Sequence, residues 1–452
     1  MITRKEKREL EKDKNYFLEF IKIKNHFFKE LDDRLKKVKD HRHQSYIRYE
    51  TDILLLMVLL KNICSLKSMN KMTNGFNKDE CIENIKTVLE VDDLEEIPHY
   101  DTINDFLSEL ETEELESIRT YMIKELLKKR SFDDYRLEKK YWCIIFDGTG
   151  LFKFNERHCE HCLKRVYNKG TEKERTVYMH HVLEAKLLIG GMVLSIGSEF
   201  IENESEDVEK QDCEMRAFHR LAEKIKNTYK RLPICILGDS LYACEPVFER
   251  CDKYGWAYLL SFKEGSIKSV ALEFEKIKGI EKTEHLPVDK TDPDGDKICW
   301  VNDISYNNRT VNMLEFNTEV EVKKDGKKEL EKRTYLYITN IRITKRKAME
   351  LLDFGRRRWK IENEGFNNQK NIRYDIEHAN SHNYNAIKNH YLLTQLADIM
   401  MQLYENGSKI FKVLKKAAHA ISKDLLEALR REIITDDMLR NVKPMQVRFC
   451  FE

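Results

Sequence analysis

The sequence predicts an α/β protein: an all-α N-terminal region, a mixed core of strands and helices, and a β-rich insertion before the final helices. Three observations predict it. Apolar residues recur at helical intervals through residues 1–135, with almost nothing that alternates like a strand. Two short apolar runs, Tyr141–Phe146 and Leu232–Leu237, each lead into an aspartate, Asp147 and Asp239. Alternating stretches then crowd residues 263–345, after which helical spacing returns.

A chain of 452 residues, 41% hydrophobic and 10% aromatic, can bury a substantial core and is not a disordered segment. Its length suits two to four domains of about 150 residues each. Its 80 basic and 79 acidic residues nearly cancel, so net charge announces no polyanion. A nucleic-acid surface has to come from local segregation of sign. The start, Met1–Arg8, is charged and lacks a signal peptide's apolar stretch. The most apolar run, Ile53–Leu60, is far shorter than the about 20 residues that span a bilayer. Eleven scattered cysteines fit a reducing compartment better than a disulfide framework. The expectation is a cytoplasmic protein with no membrane association.

In the N-terminal region, Phe17, Phe20, Phe27, Leu31 and Leu35 mark the first helical faces, and Ile53–Ile63 reads as a buried helix. Another begins near Asn77, with Ile82, Ile85, Val88 and Leu89 inside. Pro98 breaks the chain, and Asp101 or Thr102 can cap a helix carrying Ile103, Phe106, Leu107 and Leu110. Such a capped helix after a turn suits a DNA groove, and a plain helical bundle explains it equally. The basic stretches Arg34–Lys39 and Lys409–Lys416 suit DNA contact, or solvated helix faces.

The core follows. Tyr141–Phe146 is a buried strand closed by the Asp147-Gly148-Thr149-Gly150 turn. Val177–Ile189 and Met192–Ile201 form a meander about Gly190-Gly191, and a polar helix spans roughly Glu206–Tyr229. The acids of Asp212-Cys213-Glu214 at its opening complement the helix dipole. Leu232–Leu237 repeats the strand-then-acid pattern at Asp239, ahead of a helix over Pro246–Tyr254 and a strand over Trp256–Phe262. In the insertion, strands are expected at Ile298–Ile304, Thr310–Phe316, Thr318–Val322 and Tyr335–Ile343, with a turn at Lys324–Lys327. Helices resume with Gly355–Lys370, where Trp359, Glu362, Phe366 and Gln369 fall on one side, and continue through the apolar Tyr391–Leu403.

A lone strand-end aspartate usually caps the next turn. Two of them, followed by Glu362 in a basic helix, suggest a gathering of carboxylates. Such a group raises its own pKa values unless a cation intervenes. Oxygen ligands without histidine favour Mg²⁺ or Mn²⁺, and two such ions about 4 Å apart suit phosphodiester cleavage. Arg358 and the bases around it then hold phosphates.

The order Asp147-Gly148-Thr149, Gly238-Asp239-Ser240 and Arg358-Trp359-Lys360-Ile361-Glu362 resembles the DDE transposases of bacterial insertion sequences. Within them it is similar to the insertion-sequence-four-like group with a Tyr-x2-Arg-x3-Glu-x6-Lys signature. The resemblance spans roughly Tyr141–Met401 and implies an RNase H-like catalytic core with a β-rich insertion. It implies that Asp147, Asp239 and Glu362 are catalytic and bind two Mg²⁺ or Mn²⁺ ions, and that Arg358 is the signature arginine. The signature's tyrosine position falls on Gly355 and its lysine position on Gln369, with Lys370 beside it.

The implied activity is cleavage at the ends of the chain's own mobile element and strand transfer into target DNA. The partners would be double-stranded DNA and a second copy in a homodimer. Arg356, Arg357, Arg358 and Lys370 are the DNA-binding candidates, with Trp300 for base stacking, although a core role fits Trp300 better. A nuclease without strand transfer and an inactive DNA-binding relative are the alternatives.

Cys159-x2-Cys162, with His158, His161, His180 and His181 nearby, is half of a structural Zn²⁺ site or a set of free thiols and imidazoles. The expected organisation is a helical DNA-binding region at 1–135 and a catalytic core at 136–262. The insertion at 263–345, the final core helices at 346–405 and a helical tail at 406–452 complete it.

Overall fold

A computed structural model describes residues 15–205, 208–280, 285–288, 295–324, 327–408 and 416–440, together with Glu6, Glu9, Phe411 and Phe449. The tip Asp325-Gly326 and most of the basic stretch 409–416 lie outside the described residues.

The N-terminal region folds as α1 (Tyr16–Phe27), α2 (Leu31–Lys36), α3 (Thr51–Ile63), α4 (Met69–Phe76), α5 (Asp79–Leu89), α6 (Tyr100–Glu109) and α7 (Thr112–Leu127). Every residue of α3 is buried, as its continuous apolar run demands. Helix α6 starts one residue before Asp101, capped by His99, whose ring accepts from the Asp101 amide. Ile103, Phe106 and Leu107 face inward, and the outward positions Asp101, Asp105 and Glu109 are acidic. That outer face would repel phosphates, which favours the plain helical bundle over a recognition helix at α6. In α2, Arg34 pairs with Glu30 at 2.8 Å and lies 4.1 Å from the Tyr121 ring, so its charge is already engaged.

The strands are β1 (Trp142–Phe154), β2 (Leu163–Tyr167), β3 (Arg175–Ile189), β4 (Met192–Ile201), β5 (Ile234–Gly238), β6 (Ala257–Phe262), β7 (His285–Pro287), β8 (Lys297–Tyr306), β9 (Arg309–Lys324) and β10 (Lys327–Thr339). They form one sheet in the order β2-β3-β1-β5-β6-β10-β9-β8-β7, with β4 also paired to β3. Its first part is an RNase H-like core: β4, β3 and β1 run antiparallel, and β5 and β6 continue parallel to β1. The parallel connections carry helices α8 (Glu214–Tyr229) and α9 (Glu245–Tyr254).

The insertion extends this sheet, because β10 pairs antiparallel with β6. It also holds a helix the sequence reading did not expect, α10 (Lys268–Ile280). The two stretches read as Thr310–Phe316 and Thr318–Val322 are one strand, β9. Trp300 on β8 is 4% exposed and packs with Phe316, Leu314 and Leu351. Its indole offers no free face, so base stacking there is corrected to a core role. Trp300→Ala should cost about 3–5 kcal/mol of stability, measurable by urea unfolding, and leave DNA affinity of the folded fraction unchanged.

After the insertion come α11 (Lys345–Arg357), a π-helical segment (Ile361–Arg373), α12 (Tyr384–Gly407), α13 (Ala418–Arg431) and α14 (Asp436–Arg440). Helix α12 joins the two halves. On one side Asn389 donates to the Leu107 and Leu110 carbonyls, and on the other Gln402 bonds both backbone groups of Val193. One apolar core therefore runs from Phe17 through Phe146 to Leu429. Among the described residues no helix is long and apolar enough to cross a membrane.

Candidate active site

Strand β1 pairs in parallel with β5 as far as Ile145 opposite Leu237. Two residues further along each strand stand Asp147 and Asp239, in equivalent positions. Asp147 does not end its strand: β1 runs on to Phe154 against β3, and only the pairing with β5 stops. The acid sits where the sheet opens. Strand side chains alternate between faces. Cys143, Ile145, Cys235 and Leu237 pack with Leu351, Leu352, Ile361 and Phe366. The same alternation turns both aspartates toward α11 and the π-helical segment, which carries Glu362.

Burial, then the charges of Glu214 and Glu362, push the Asp147 carboxyl up to about 7; Arg358 opposes this and Asp239 adds to it. Those influences put Glu214, Glu362, Asp239 and the Arg358 guanidinium within electrostatic reach of Asp147. Asp239 also makes a turn, its Oδ1 accepting from the Leu241 amide at 2.8 Å. The ordinary capping role and the acid cluster therefore coexist at one residue.

Glu214 is the acid whose place the sequence reading missed. It opens α8 and accepts from the Tyr242 hydroxyl at 2.6 Å. A Cβ on Gly148 would stand 2.7 Å from its Oε2, so the glycine after Asp147 admits this carboxylate. Burial raises the Glu214 pKa, with the Tyr242 hydrogen bond opposing and Asp239 reinforcing. A helix-opening acid looks like a dipole partner in sequence; only the packing of α8 across β3 and β4, with its first turn over Gly148 of β1, gives it another setting.

Arg358, 5% exposed, donates from Nη1 to Glu362 Oε1 at 3.1 Å, and its Cζ lies 4.3 Å from the Trp359 ring centre. Its Nε is buried without a partner among the described residues. Burying a guanidinium with a donor unspent is costly unless a ligand completes it. Arg356 is exposed over Phe316, Arg357 pairs with Asp353 at 2.7 Å, and Lys370 pairs with Glu377 at 2.8 Å. Glu364 faces elsewhere, bound to Lys360 at 3.0 Å.

The helix around Glu362 departs from α-helical spacing. Its buried positions are Ile361, Gly365, Phe366, Gln369 and Arg373, and Trp359 is 48% exposed. The expected side with Trp359 inside is thus corrected. Wider π turns bring residues four and five apart into line, so Ile361 and Phe366 share the core while Trp359 swings out. π-Helical turns are rare and concentrate at functional sites.

Gln369, at the signature's lysine position, is fully buried and donates to Gln395 and Asp398. Asp398 also accepts from Tyr374 and Gln402, and Gln395 accepts from buried Lys186. These bonds fix the segment to the sheet and α12. A lysine at 369 would put a second ammonium beside Lys186.

Gly355, at the tyrosine position, is covered by a tyrosine from elsewhere: a Cβ there would stand 2.7 Å from Cε1 of Tyr337 on β10. Tyr337 is 3% exposed, so its ring has nowhere to move. Gly355→Ala gains about 1 kcal/mol of helix propensity and loses about 1–3 to overpacking. The expected result is a net loss of stability in urea melts; a more stable variant would mean that the ring yields freely.

Residues 138–397, more than half of the chain, match the family model described as the Transposase DDE domain. Residues 33–122 match the one described as DDE_Tnp_1-associated. None of the curated proteins compared with the chain matches it. Among solved structures, the cryo-EM piggyBac transposase synaptic complex with hairpin DNA aligns at a TM-score of 0.42 and 9% identity, over 95% of this chain and 86% of that one. The match across β1, β5 and the Glu362 helix places this chain in the DDE transposase family.

Proposed function

We propose that the protein cuts DNA at the ends of its own insertion sequence and joins the freed ends to target DNA, using divalent metal. The observation that carries this reading is that Asp239, Glu362 and Glu214 all act on the half-buried Asp147, with Arg358 bonded to Glu362 beside them. The donor set is all carboxylate and contains more negative charge than Arg358 neutralises, which suits Mg²⁺ or Mn²⁺. Two such ions would supply an activated water and stabilise the leaving 3′ oxygen.

The chain's own residues have distinct parts. Asp147 holds its carboxylate on β1 where the pairing with β5 stops, Asp239 holds its own just past β5, and Glu362 closes the set from the helix. Arg358 keeps Nε for a phosphate oxygen, and Arg356, Arg357 and Lys370 extend the cationic surface on either side of Glu362. Lys36 and Lys37, exposed on and beside α2, offer the N-terminal region a weaker contact with the DNA backbone.

The group with the Tyr-x2-Arg-x3-Glu-x6-Lys signature remains the best fit despite its two altered positions. Tyr337 supplies a phenol ring over Gly355, and Lys370 stands beside the altered lysine position. Joining two ends to one target calls for a homodimer, and the expected setting is the cytoplasm.

The test is to incubate the purified chain with DNA carrying the flanking ends, in Mg²⁺ or EDTA, and resolve the strands on denaturing gels. Metal-dependent 3′ nicks followed by joined products are the expected result. Nicks without joining would indicate a nuclease of the same fold. End binding without nicks in Mg²⁺ would indicate a relative that has lost activity.

A further inference from the structure

We propose that a Zn²⁺ ion separate from the catalytic metals binds Cys159, Cys162 and His180 and fastens the β1–β2 connection to β3. The three ligand atoms already stand at the corners of a zinc tetrahedron. Bonds of about 2.3 Å to sulfur and 2.0–2.1 Å to nitrogen, at tetrahedral angles, require edges of about 3.8 Å between sulfurs and about 3.5 Å from sulfur to nitrogen. The Cys159 and Cys162 sulfurs are 3.7 Å apart, and each is 3.5 Å from His180 Nε2. A disulfide would need about 2.05 Å.

The surroundings are built to hold these atoms. The Cys162 amide donates to the Cys159 carbonyl at 3.3 Å, closing a tight turn between the two thiols. Asn203, just past β4, donates from its side chain to the Cys162 carbonyl and from its amide to that of His161. His180 is 1% exposed and stacks on Tyr384 at 4.6 Å, and its Nδ1 has no partner among the described residues. The ring's polar contacts there are the two sulfurs. Cys162 is fully buried and Cys159 partly so, which leaves the fourth position of the tetrahedron to a water on the Cys159 side.

The ion has a mechanical consequence. Beyond it, β2 and β3 form a hairpin that bears Lys164, Arg165, Lys169, Lys173 and Arg175, against Glu172 and Glu174. Arg165 and Arg175 bracket the Tyr167 ring at 5.0 and 5.3 Å. Through β3 this cationic hairpin is paired to β1, the strand that carries Asp147, and the ion sits at its base. Fixing that base sets where the hairpin meets a phosphate backbone, so removing zinc should weaken binding to any DNA duplex.

The experiment strips the full chain with a chelator under reducing conditions and titrates it with Co²⁺ as the probe. A thiolate-to-cobalt charge-transfer band saturating at one ion per chain, and displaced by Zn²⁺, is the expected result. The band should persist in Asp147→Asn and vanish in Cys159→Ser/Cys162→Ser. Because the double variant can fail to fold, wild-type alkylation gives an independent reading: Zn²⁺ should protect the partly exposed Cys159 and leave exposed Cys213 reactive. No band in the wild type, an undiminished band in a folded double variant, or equal alkylation with and without Zn²⁺ would overturn the proposal.

Discussion

Glu362→Gln should abolish metal-dependent strand cleavage, by roughly a thousandfold or more, while the chain stays folded and still binds end DNA. The substitution keeps the size of the side chain and removes one charged oxygen ligand, a loss of several kcal/mol of transition-state stabilisation. Stability should move little, because Glu362 is half-exposed and its pair with Arg358 is the main polar contact given up. Glu364→Gln is the matched control. Two residues away and tied to Lys360 on the surface, it should cleave at nearly the wild-type rate. Single-turnover cleavage of end DNA decides the matter, and comparable losses in both variants would remove Glu362 from the proposed catalytic set. Glu214→Gln should fall between them, since Glu214 shares the charge cluster yet is already bonded to Tyr242.

In the absence of divalent metal, Asp147→Asn should make the chain more stable at alkaline pH than the wild type. The wild-type carboxyl is pushed from its ordinary 3.8 up to about 7. A raised acid pKa means that the folded state holds its proton while the unfolded state has lost it, so stability falls as pH climbs between those values. The loss is complete above about 7 and amounts to about 2–4 kcal/mol after allowance for the group's partial exposure. Asparagine carries no charge to repel, so the variant escapes that decline.

Melting curves at pH 5.5 and 8.5 in EDTA should therefore separate the two proteins most at the higher pH. Mg²⁺ should then stabilise the wild type and leave the variant nearly unmoved, because the ion supplies the charge that the cluster lacks. If the two proteins differ equally at both pH values, the acids do not crowd Asp147 as described. The same titration predicts that Mg²⁺ binding weakens about tenfold per pH unit below 7, since one proton competes for the site.

The buried α3, the two apolar strands leading to Asp147 and Asp239, and the Arg358–Glu362 pair were legible because each depends on local properties. Run length, alternation and an i to i+4 spacing need no knowledge of the rest of the chain. The Trp359 side was misjudged because an α-helical period was assumed. Only the packing of Ile361, Phe366 and Gln369 against the sheet and α12 selects the wider winding. The exposed side of α6 is hard to read for a related cause: a capped amphipathic helix has the same inner face whatever it serves, and the acidic outer positions gain meaning only once it is known which side remains exposed.

The set of elements and the order of the acids along them follow from the chain alone. Hydrophobic periodicity and strand-end chemistry act over a few residues and survive in any context. Which groups meet is settled by packing. Glu214 joins the acids because α8 packs with its first turn over Gly148; Tyr337 covers Gly355 because β10 pairs with β6; and His180 meets two cysteines because β3 returns past the β1–β2 connection. Contacts between residues tens of positions apart are set by sheet register and helix packing, which the spacing of residues along a chain does not encode.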